Sequence, residues 1–203
     1  MKIYTRSGDK GSTSHLAEGR VSKGSLEIEV EGQFDNAISM IGFAREALVR
    51  KQHRDQANEE KWAPLVLALI HAQQRLFTAA ACLYDSAATQ NPIAEKDIID
   101  LENSIDAFSS HLEELDGFIL PGGSEANARL NLARCAVREA ERVSVRILDE
   151  LHHHGRDLNL TSIAYLNRLS DALFVYGRVA LALDNKVPLK WTPWIADEPY
   201  PHQ

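Results

Sequence analysis

The N-terminal segment of the chain is rich in the residue types that surround phosphate oxygens in proteins. It runs through Thr5, Arg6, Ser7, Gly8, Asp9, Lys10, Gly11, Ser12, Thr13 and Ser14. The glycines let the backbone curl, so that successive N–H groups and hydroxyls can surround an anion, and Lys10 and Lys23 add positive charge. The segment is not a Walker A loop, because no Gly-Lys-Ser/Thr opens a helix after a strand. A solvated tail is the alternative, and composition alone favours it.

A second group consists of four arginines that recur at every fourth position: Arg134, Arg138, Arg142 and Arg146. Each step of four residues drifts by only about 40° on a helix, so the guanidinium groups form one slightly spiralling stripe. A guanidinium presents a planar fork of donors, which suits the oxygens of a polyphosphate. The alternative is an exposed face that is neutralised by nearby glutamates, namely Glu139, Glu141 and Glu150.

Two more polar groups stand near the end of the helical region. Asn167 and Asp171 lie four residues apart on one face of an otherwise apolar helix, and they either tie helices together or contact a ligand. The run His152-His153-His154 lacks a cysteine partner, a helical His-x₃-His spacing and a nearby set of carboxylates. No metal site formed by side chains is therefore predicted.

An apolar triplet, Phe118-Ile119-Leu120, stands directly before a Pro-Gly-Gly turn. Periodicity alone favours a hydrophobic plug that closes one end of the fold. Ser124 follows the turn and is predicted to cap the next helix, because a serine hydroxyl accepts a hydrogen bond from the free N–H groups of a first turn.

The elements that must position these groups are five helices, and no sustained alternation of period two is present. The helices are predicted over residues 26–53, 59–88, 92–112, 125–151 and 162–183, with Pro92 in the first turn of the third and Thr161 capping the fifth. Five helices with short connections indicate one all-α bundle that spans residues 1–203. Residues 1–24 form an extended or looped arm. Residues 187–203 form a coil tail pinned by Trp191 and Trp194.

Composition and charge exclude several classes of function. The net charge is −7 and the sequence pI is about 5.6, so no basic face is expected to displace counterions from nucleic acid. No stretch of roughly 18 apolar residues predicts a membrane span. The first residues lack an apolar signal core, so the chain is expected to stay in the cytoplasm. Cys82 and Cys135 stand in apolar helical runs and are expected to be buried thiols without a disulfide.

Taken together, these segments resemble the PduO-type ATP:cob(I)alamin adenosyltransferase family, in the family's order along almost the whole chain. Residues 5–11 and Lys23 look like its ATP-binding arm, and residues 118–124 match its Phe-x-Leu-Pro-Gly-Gly loop. Residues 165–171 reproduce Tyr-Leu-Asn-Arg-Leu-Ser-Asp in full. The family's Arg-x₃-Arg-Arg-Ala-Glu-Arg helix is matched by Arg134, Arg138, Ala140, Glu141 and Arg142.

The resemblance implies a homotrimer of five-helix bundles with each active site between neighbouring subunits, acting on ATP with Mg²⁺ and on cobalamin. It assigns ATP binding to Thr5, Arg6, Ser7, Gly8, Thr13, Ser14, Lys23, Arg138, Glu141, Arg142 and Asn167. Arg138 and Arg142 are implied to neutralise the leaving triphosphate, while Glu141 and Asn167 position the nucleoside. Mg²⁺ is implied to bind through the ATP phosphates.

The resemblance further implies that Co(I) attacks C5′ of ATP and expels the whole triphosphate. Three residues are implied to act at the reaction centre: Arg138, Asp35 and Phe118. Asp35 is implied to pair with Arg134 across the subunit boundary, and Phe118 is implied to be an apolar wedge against the lower face of the corrin. An electron-donating reductase and an adenosylcobalamin-dependent enzyme are the implied partners.

The chain departs from the family pattern at three places. The first-helix motif Asp-Glu-Leu-Asn reads Asp35-Asn36-Ala37-Ile38, Glu139 replaces the second arginine of the Arg-Arg pair, and the loop at 152–159 is longer than usual. A non-catalytic sensor or carrier of ATP or corrinoid on the same bundle therefore stays open. A structural bundle without a ligand is a further alternative.

Overall fold

The computed structural model describes residues 2–15, 19–55, 59–153 and 158–193. Within these ranges a short hairpin precedes five α-helices. The elements are β1 Ser12–His15, β2 Gly19–Ser22, α1 Leu26–Arg54, α2 Glu59–Tyr84, α3 Glu95–Ser109, α4 Glu125–His153 and α5 Leu160–Leu183, with a 3₁₀ turn at Ser86–Ala88. The predicted five helices are confirmed. The hairpin lies within the segment predicted as an extended or looped arm, and its two strands were not themselves predicted.

The long helices run antiparallel to their neighbours and enclose one apolar core. At one end of the α1–α4 pair, an oxygen of Glu29 lies 3.7 Å from a nitrogen of Arg146. At the other end, Arg50 donates to Glu125 over 2.9 Å. α2 packs on the opposite side of α1, where the Gln73 amide donates to the Ile38 carbonyl over 3.0 Å.

The bundle has two distinct ends. The arm leads into the N-terminus of α1, and at this arm end the Asn159 N–H, just before α5, donates to the Leu83 carbonyl of α2 over 2.9 Å. At the opposite end, Lys51 of α1 donates to Asp184, just after α5, over 2.6 Å. α1 contains 29 residues and, at about 1.5 Å per residue, separates the two ends by about 43 Å.

The third helix begins three residues later than predicted, because tertiary contacts hold the preceding segment extended. Arg75 on α2 donates to the carbonyls of Asn91 and Pro92 over 3.1 and 3.0 Å and forms a 2.6 Å ion pair with Asp97. Asp97 also accepts from the Ala94 N–H over 2.9 Å, which fixes the first turn. The prediction that Pro92 lies inside that turn was therefore wrong.

The fifth helix begins at Leu160, and its cap is Asn159, whose side chain accepts from the Thr161 N–H over 3.0 Å. The prediction that Thr161 is the cap was therefore wrong. The prediction of Ser124 as the cap of α4 is confirmed, since its hydroxyl accepts from the Asn127 N–H over 3.2 Å.

The two cysteines differ in environment. Cys82 is buried as predicted, whereas Cys135 is exposed, so that prediction was wrong for the second thiol; both are free. Cys135 follows Arg134 on the outer side of α4, and local hydrophobicity does not reveal which side of a helix meets the core. α2 is apolar enough to cross a membrane by length and composition alone. Its fully buried Trp62 and Leu69 and its packing on α1 and α5 are expected of a core helix.

Candidate active site

Residues 5–11, the arm loop, fold into consecutive turns in which backbone groups close on one another. The Asp9 N–H donates to the Arg6 carbonyl over 3.3 Å, and the Gly11 N–H donates to the Gly8 carbonyl over 3.2 Å. Arg6 has a φ of 61°, a left-handed conformation that is uncommon outside glycine and bends the chain sharply. The Thr5 and Ser7 hydroxyls lie 2.8 Å apart. The loop therefore brings the Thr5 and Ser7 hydroxyls together, while the Asp9 and Gly11 N–H groups are bonded within it.

Lys23 lies directly over the arm loop. Its N–H donates to the Gly11 carbonyl over 2.9 Å, and its Nζ would lie 3.1 Å from a Cβ built on Gly8. Only glycine at position 8 leaves the ammonium this close to the backbone without a shift of its neighbours. Arg20 donates to the Ser7 carbonyl over 2.7 Å and holds the loop against the hairpin. Lys23 and Arg20 therefore contact the arm loop from outside it, and sequence reasoning identified Lys23 but missed Arg20.

The hairpin carries the remaining arm residues that were predicted to bind ATP. Thr13 pairs with Val21, and Ser14 pairs with Arg20, in an antiparallel register. Ser14 is exposed, and Thr13 is half-buried. The structure thus joins Thr13 and Ser14 to the arm loop through Arg20.

His15 fixes this hairpin to the bundle and was not identified from the sequence. It is buried at 4% exposure, and its ring meets the ring of Tyr84 edge-on with a 4.7 Å centroid separation. Its Nε2 lies 3.5 Å from a carboxylate oxygen of Glu31. His15 therefore holds the arm against the ends of α1 and α2. A buried polar residue at the end of a short polar strand was the only signal for it.

Replacing His15 with alanine is expected to raise the KM for ATP by about 2- to 12-fold, since an edge-to-face aromatic pair contributes about 0.5–1.5 kcal/mol. The value of kcat should change little, because His15 is assigned no contact with ATP and acts by holding the hairpin against the bundle. His15→Phe, which keeps the ring, should restore most of the affinity. An unchanged KM in His15→Ala would show that the arm is held by other contacts.

The arginine stripe lies on the outer side of α4, and its members differ in their partners. Arg134 is half-buried, and its Nε donates to the Asn131 side chain over 3.2 Å. Arg142 forms an ion pair with Glu139, and Arg146 pairs with Glu29. Arg138 is exposed, and no described residue forms a hydrogen bond or ion pair with it. Glutamates therefore neutralise Arg142 and Arg146, as the alternative interpretation of the stripe predicted. Among the described residues Arg138 has no such partner, so its guanidinium is accessible to an anionic ligand.

Glu141 lies between α4 and α5, close to the predicted α5 residues. Burial raises the pKa of its carboxyl, Arg138 opposes that rise, and Asp171 adds to it. Asp171 is held by Arg168 over 2.8 Å, and Arg168 also reaches Glu102 on α3 at 3.1 Å. Asn167 is exposed one turn earlier on α5. Arg138, Glu141 and Asp171 thus form one cluster, with Asn167 on the same outward side of α5.

Phe118 stands at the tip of residues 117–123, the Phe118 loop, at the end of the bundle opposite the arm. Its side chain is 79% exposed, and its ring lies edge-on to Trp191 at 6.5 Å. Residues 118–120 pair with the segment after α5: the Trp191 N–H donates to the Phe118 carbonyl, and the Leu120 N–H donates to the Leu189 carbonyl, each over 2.8 Å. The plug interpretation of Phe118 is therefore wrong. Pinning of the tail by Trp191 is confirmed, and Trp194 lies outside the described residues.

The Pro-Gly-Gly turn sets the position of Phe118. Gly123 has a φ of 84°, and a Cβ built there would lie only 2.9 Å from a methyl carbon of Leu181. Buried Asn127 accepts from the Gly122 N–H and donates to the Gly177 carbonyl, each over 2.8 Å. Sequence reasoning missed Asn127, whose place three residues after a helix cap was an available signal. The turn is thus fixed by both the start of α4 and the end of α5.

The Phe118 loop and the stripe share one face of the bundle. A small cavity of about 50 Å³ is lined by loop residues together with Arg134 and by Phe174 and Arg178 of α5. Arg134 is one helical turn from Arg138. We call the outward surface formed by α4, α5 and the Phe118 loop the α4–α5 face. It contains every predicted site residue of the second half of the chain.

Asp35 and the arm loop are not joined to that face within one chain. Asp35 is exposed on α1, and no described residue pairs with it. None of the hydrogen bonds and ion pairs between described residues links Arg138 to the arm loop. The histidine run lies largely outside the described residues: His152 and His153 belong to the end of α4, but their side chains are not described. Among the described residues, no three His, Cys, Asp or Glu side chains form a cluster that could hold a metal ion.

Comparison with known proteins gives a consistent result. The family profile for cobalamin adenosyltransferase matches residues 3–180. A corrinoid adenosyltransferase of Bacillus subtilis (strain 168) is 36% identical over 185 residues, covering 90% of this chain and 88% of the relative. The corrinoid adenosyltransferase MMAB of Mus musculus is 33% identical over 179 residues, covering 88% and 72%.

A solved structure has the same fold. It is a variant PduO-type ATP:corrinoid adenosyltransferase from Lactobacillus reuteri, complexed with cobalamin and ATP. It superimposes with a TM-score of 0.79 at 26% sequence identity, and the match covers 94% of this chain and 99% of that chain.

Proposed function

We propose that this chain, which belongs to the cobalamin adenosyltransferase family, transfers the 5′-deoxyadenosyl group of ATP to the cobalt of cob(I)alamin. The products are adenosylcobalamin and triphosphate. The chain is an enzyme, an ATP:corrinoid adenosyltransferase. The observation that carries the proposal is the arm loop, where the Lys23 ammonium lies over Gly8 in a loop that also carries the paired hydroxyls of Thr5 and Ser7.

The reaction places its demands on positioning and charge. The electron pair of Co(I) forms the Co–C5′ bond, while the C5′–O bond breaks and its electrons leave with the triphosphate. No proton is removed from the nucleophile, so no general base is required. The protein must therefore align C5′ with cobalt and stabilise the growing negative charge on the leaving group. The arm loop and the arginine stripe contain hydroxyls and cations, which can bind the triphosphate and stabilise its charge.

Arg138 and Arg142 are proposed to contact the triphosphate, and Glu141 and Asn167 to position the nucleoside. Arg142 is paired with Glu139 in the structure, so it must exchange that partner for a phosphate. An exposed ion pair within one helix contributes only about 0.3–0.5 kcal/mol, and a polyanion competes with it easily. The replacement of the family's second arginine by Glu139 therefore weakens ATP binding slightly without abolishing it.

Mg²⁺ is proposed to enter with ATP. The described residues contain no cluster of three metal-binding side chains, and the hydroxyls of Thr5 and Ser7 are among the few oxygen ligands at the arm loop. These residues fit an ion that is held mainly by phosphates and water, which is how Mg²⁺ commonly binds with nucleotides. The ion supplies charge neutralisation, while the arm loop orients the triphosphate.

The active site is proposed to form between two chains of a homotrimer. The arm loop lies at the N-terminal end of α1, whereas the Phe118 loop lies at the far end, about 43 Å away along that helix. One ATP molecule and one corrin must contact both parts. The arm of one chain meeting the α4–α5 face of its neighbour satisfies this requirement. Exposed Asp35 and half-buried Arg134, which have no carboxylate–guanidinium partner among the described residues, are proposed to pair across the same boundary.

Truncating either member of the Asp35–Arg134 pair is expected to weaken the trimer and the affinity for corrinoid, because the partner charge is left unpaired in an interface. Asp35→Asn and Arg134→Ala should each shift the assembly toward monomer in sedimentation velocity. The double variant should be no worse than the poorer single variant. Strict additivity of the single effects would show that the two residues are not partners.

Phe118 is proposed to lie against the lower face of the corrin, where an exposed aromatic ring excludes water and the dimethylbenzimidazole base from cobalt. Removal of the axial donor makes reduction of Co(II) to Co(I) easier. A separate reductase is proposed to supply the electron, and an adenosylcobalamin-dependent enzyme to use the product. The cytoplasm is the proposed location of the reaction.

Anaerobic incubation of the protein with chemically reduced cobalamin and MgATP tests the function. The optical spectrum should change from that of cob(I)alamin to that of adenosylcobalamin, with one triphosphate released for each product. Asn36 and Glu139, which depart from the family pattern, keep a carrier as the second candidate. Binding of ATP and corrinoid without any product would favour that carrier.

A further inference from the structure

A cavity of about 430 Å³ opens beside the Phe118 loop, at the end of the bundle opposite the arm. Its walls are residues 111–116 after α3, Ile119 of the loop, the end of α5 and residues 186–190. The volume falls within the range of about 300–1,000 Å³ that is usual for small-molecule sites. None of the residues predicted to bind ATP lines it.

Arg178 lies at the inner wall of this cavity without a carboxylate partner among the described residues. Its Nη2 donates to the backbone carbonyl of Glu113, and its Nε is buried with no acceptor. Burial lowers the pKa of this guanidinium. A buried cationic donor that is left unsatisfied is uncommon in folded proteins, because the loss of hydration is not offset. The arrangement is suited to a ligand that brings a negative charge.

The other charges at the cavity do not satisfy Arg178. Asp116 is engaged by Lys190, with Oδ2 and Nζ 2.6 Å apart. Lys186 donates to the Gly123 carbonyl over 2.6 Å and so adds a second cation that is held only by a backbone oxygen. The side chains of Glu113 and Glu114 are exposed to solvent. The remaining wall is partly apolar and includes Leu112, Ile119, Val187 and Pro188.

We propose that this cavity binds the nucleotide tail of cobalamin, which consists of a phosphodiester, a ribose and an aromatic base, after the base has left cobalt. The proposal rests on the proposed function. The tail hangs from the lower side of the corrin, and Phe118 is the residue proposed to lie there. Ile119, the next residue of the same loop, lines the cavity. A corrin above Phe118 therefore has its tail beside the cavity mouth.

The chemistry of the tail matches the walls. Its phosphodiester carries one negative charge, for which Arg178 offers a planar fork of donors. Its apolar aromatic base fits against Leu112, Ile119 and Pro188. Binding the displaced base in this way opposes its return to cobalt, so the cavity adds to the effect of Phe118 on the lower face of the metal.

The test compares two corrinoids that differ only in the tail. Cob(II)alamin has it and cob(II)inamide lacks it, and the dissociation constant of each is measured with the ATP-loaded protein. The unmodified chain should bind cob(II)alamin more tightly. Arg178→Gln keeps a donor for the Glu113 carbonyl. It should raise the dissociation constant of cob(II)alamin about tenfold and leave that of cob(II)inamide unchanged, since a hydrogen bond to a charged group contributes about 1.5–3 kcal/mol.

A second variant guards against a folding defect at Arg178. Val187 is 82% exposed at the cavity, so Val187→Glu removes almost no buried contact and adds a negative charge to the cavity, which repels the phosphodiester. Val187→Glu should also weaken the binding of cob(II)alamin without changing that of cob(II)inamide. The uncharged control Val187→Gln should change neither. The proposal would be overturned if the variants lost equal affinity for the two corrinoids, or if the unmodified chain bound both corrinoids equally well. Failure to form adenosylcobalamin would overturn the proposed function, and the ratio of the two dissociation constants would still decide the tail site.

Discussion

Replacing Arg138 with alanine is expected to lower kcat/KM by at least 10- to 150-fold while the bundle remains folded. Arg138 is the member of the arginine stripe that no described residue engages, and it lies beside Glu141. Hydrogen bonds to charged groups contribute about 1.5–3 kcal/mol each, and the triphosphate gains charge in the transition state, so the loss should appear in kcat as well as in KM. Steady-state rates with chemically reduced cobalamin measure it.

Arg146→Ala is the matched control for this prediction. Arg146 belongs to the same stripe, two turns further along, but it is paired with Glu29. Its removal should change kcat/KM by no more than about threefold, because exposed ion pairs contribute little. The free energy of unfolding of both variants should lie within about 0.5 kcal/mol of that of the unmodified chain, as is usual for surface substitutions. Unchanged kinetics in a folded Arg138→Ala protein would remove the stripe from the ATP site.

The second large effect is expected for Phe118→Ala, when the reaction starts from cob(II)alamin and a reductant. An alanine leaves space for water or the benzimidazole base below cobalt, which makes Co(I) harder to form. The rate from cob(II)alamin should fall by about 100-fold or more, as a change of about 3 kcal/mol in a reaction barrier implies. The KM for ATP should stay nearly constant, because Phe118 is proposed to contact the corrin and not the nucleotide.

The same variant should recover most of its rate with chemically pre-reduced cob(I)alamin, since the step that Phe118 assists has then been bypassed. Electron paramagnetic resonance of the ATP-bound protein should show four-coordinate cob(II)alamin in the unmodified chain and not in Phe118→Ala. Phe77→Ala, which truncates a phenylalanine of similar exposure on α2, is the control and should change neither. Equal losses from cob(II)alamin and cob(I)alamin would place Phe118 in the transfer step.

The helices were predictable from sequence because apolar spacing repeats over many turns. Leu26 and Glu59 begin helices where the pattern indicated. The start of α3 was not predictable locally, because Arg75, from a different helix, binds the Pro92 carbonyl and Asp97. The hairpin escaped detection since its strands have only four residues each and Val21 is their only apolar side chain, too little for a period-two signal.

The candidate site was predictable as a set of residues and not as a geometry. Motif spacing identified Lys23, Arg138 and Phe118, but it could not show that the first stands at one end of the bundle and the last at the other. That separation depends on which helices run antiparallel. His15 was missed for a related reason: it holds the arm through its contact with Tyr84, which is remote in sequence.

Mixed trimers test the central claim, that each adenosyltransferase site joins the arm of one chain to the α4–α5 face of its neighbour. Lys23→Glu places a negative charge at the arm loop, and Phe118→Ala disables the α4–α5 face. Each homotrimer should therefore be nearly inactive when the reaction starts from cob(II)alamin. The two variants are co-expressed with different affinity tags and purified through both. Mixed trimers should regain about one third of the unmodified activity, because one of three interfaces then combines an intact arm with an intact Phe118. Activity no higher than that of the separate variants would contradict it and place the whole site within one chain.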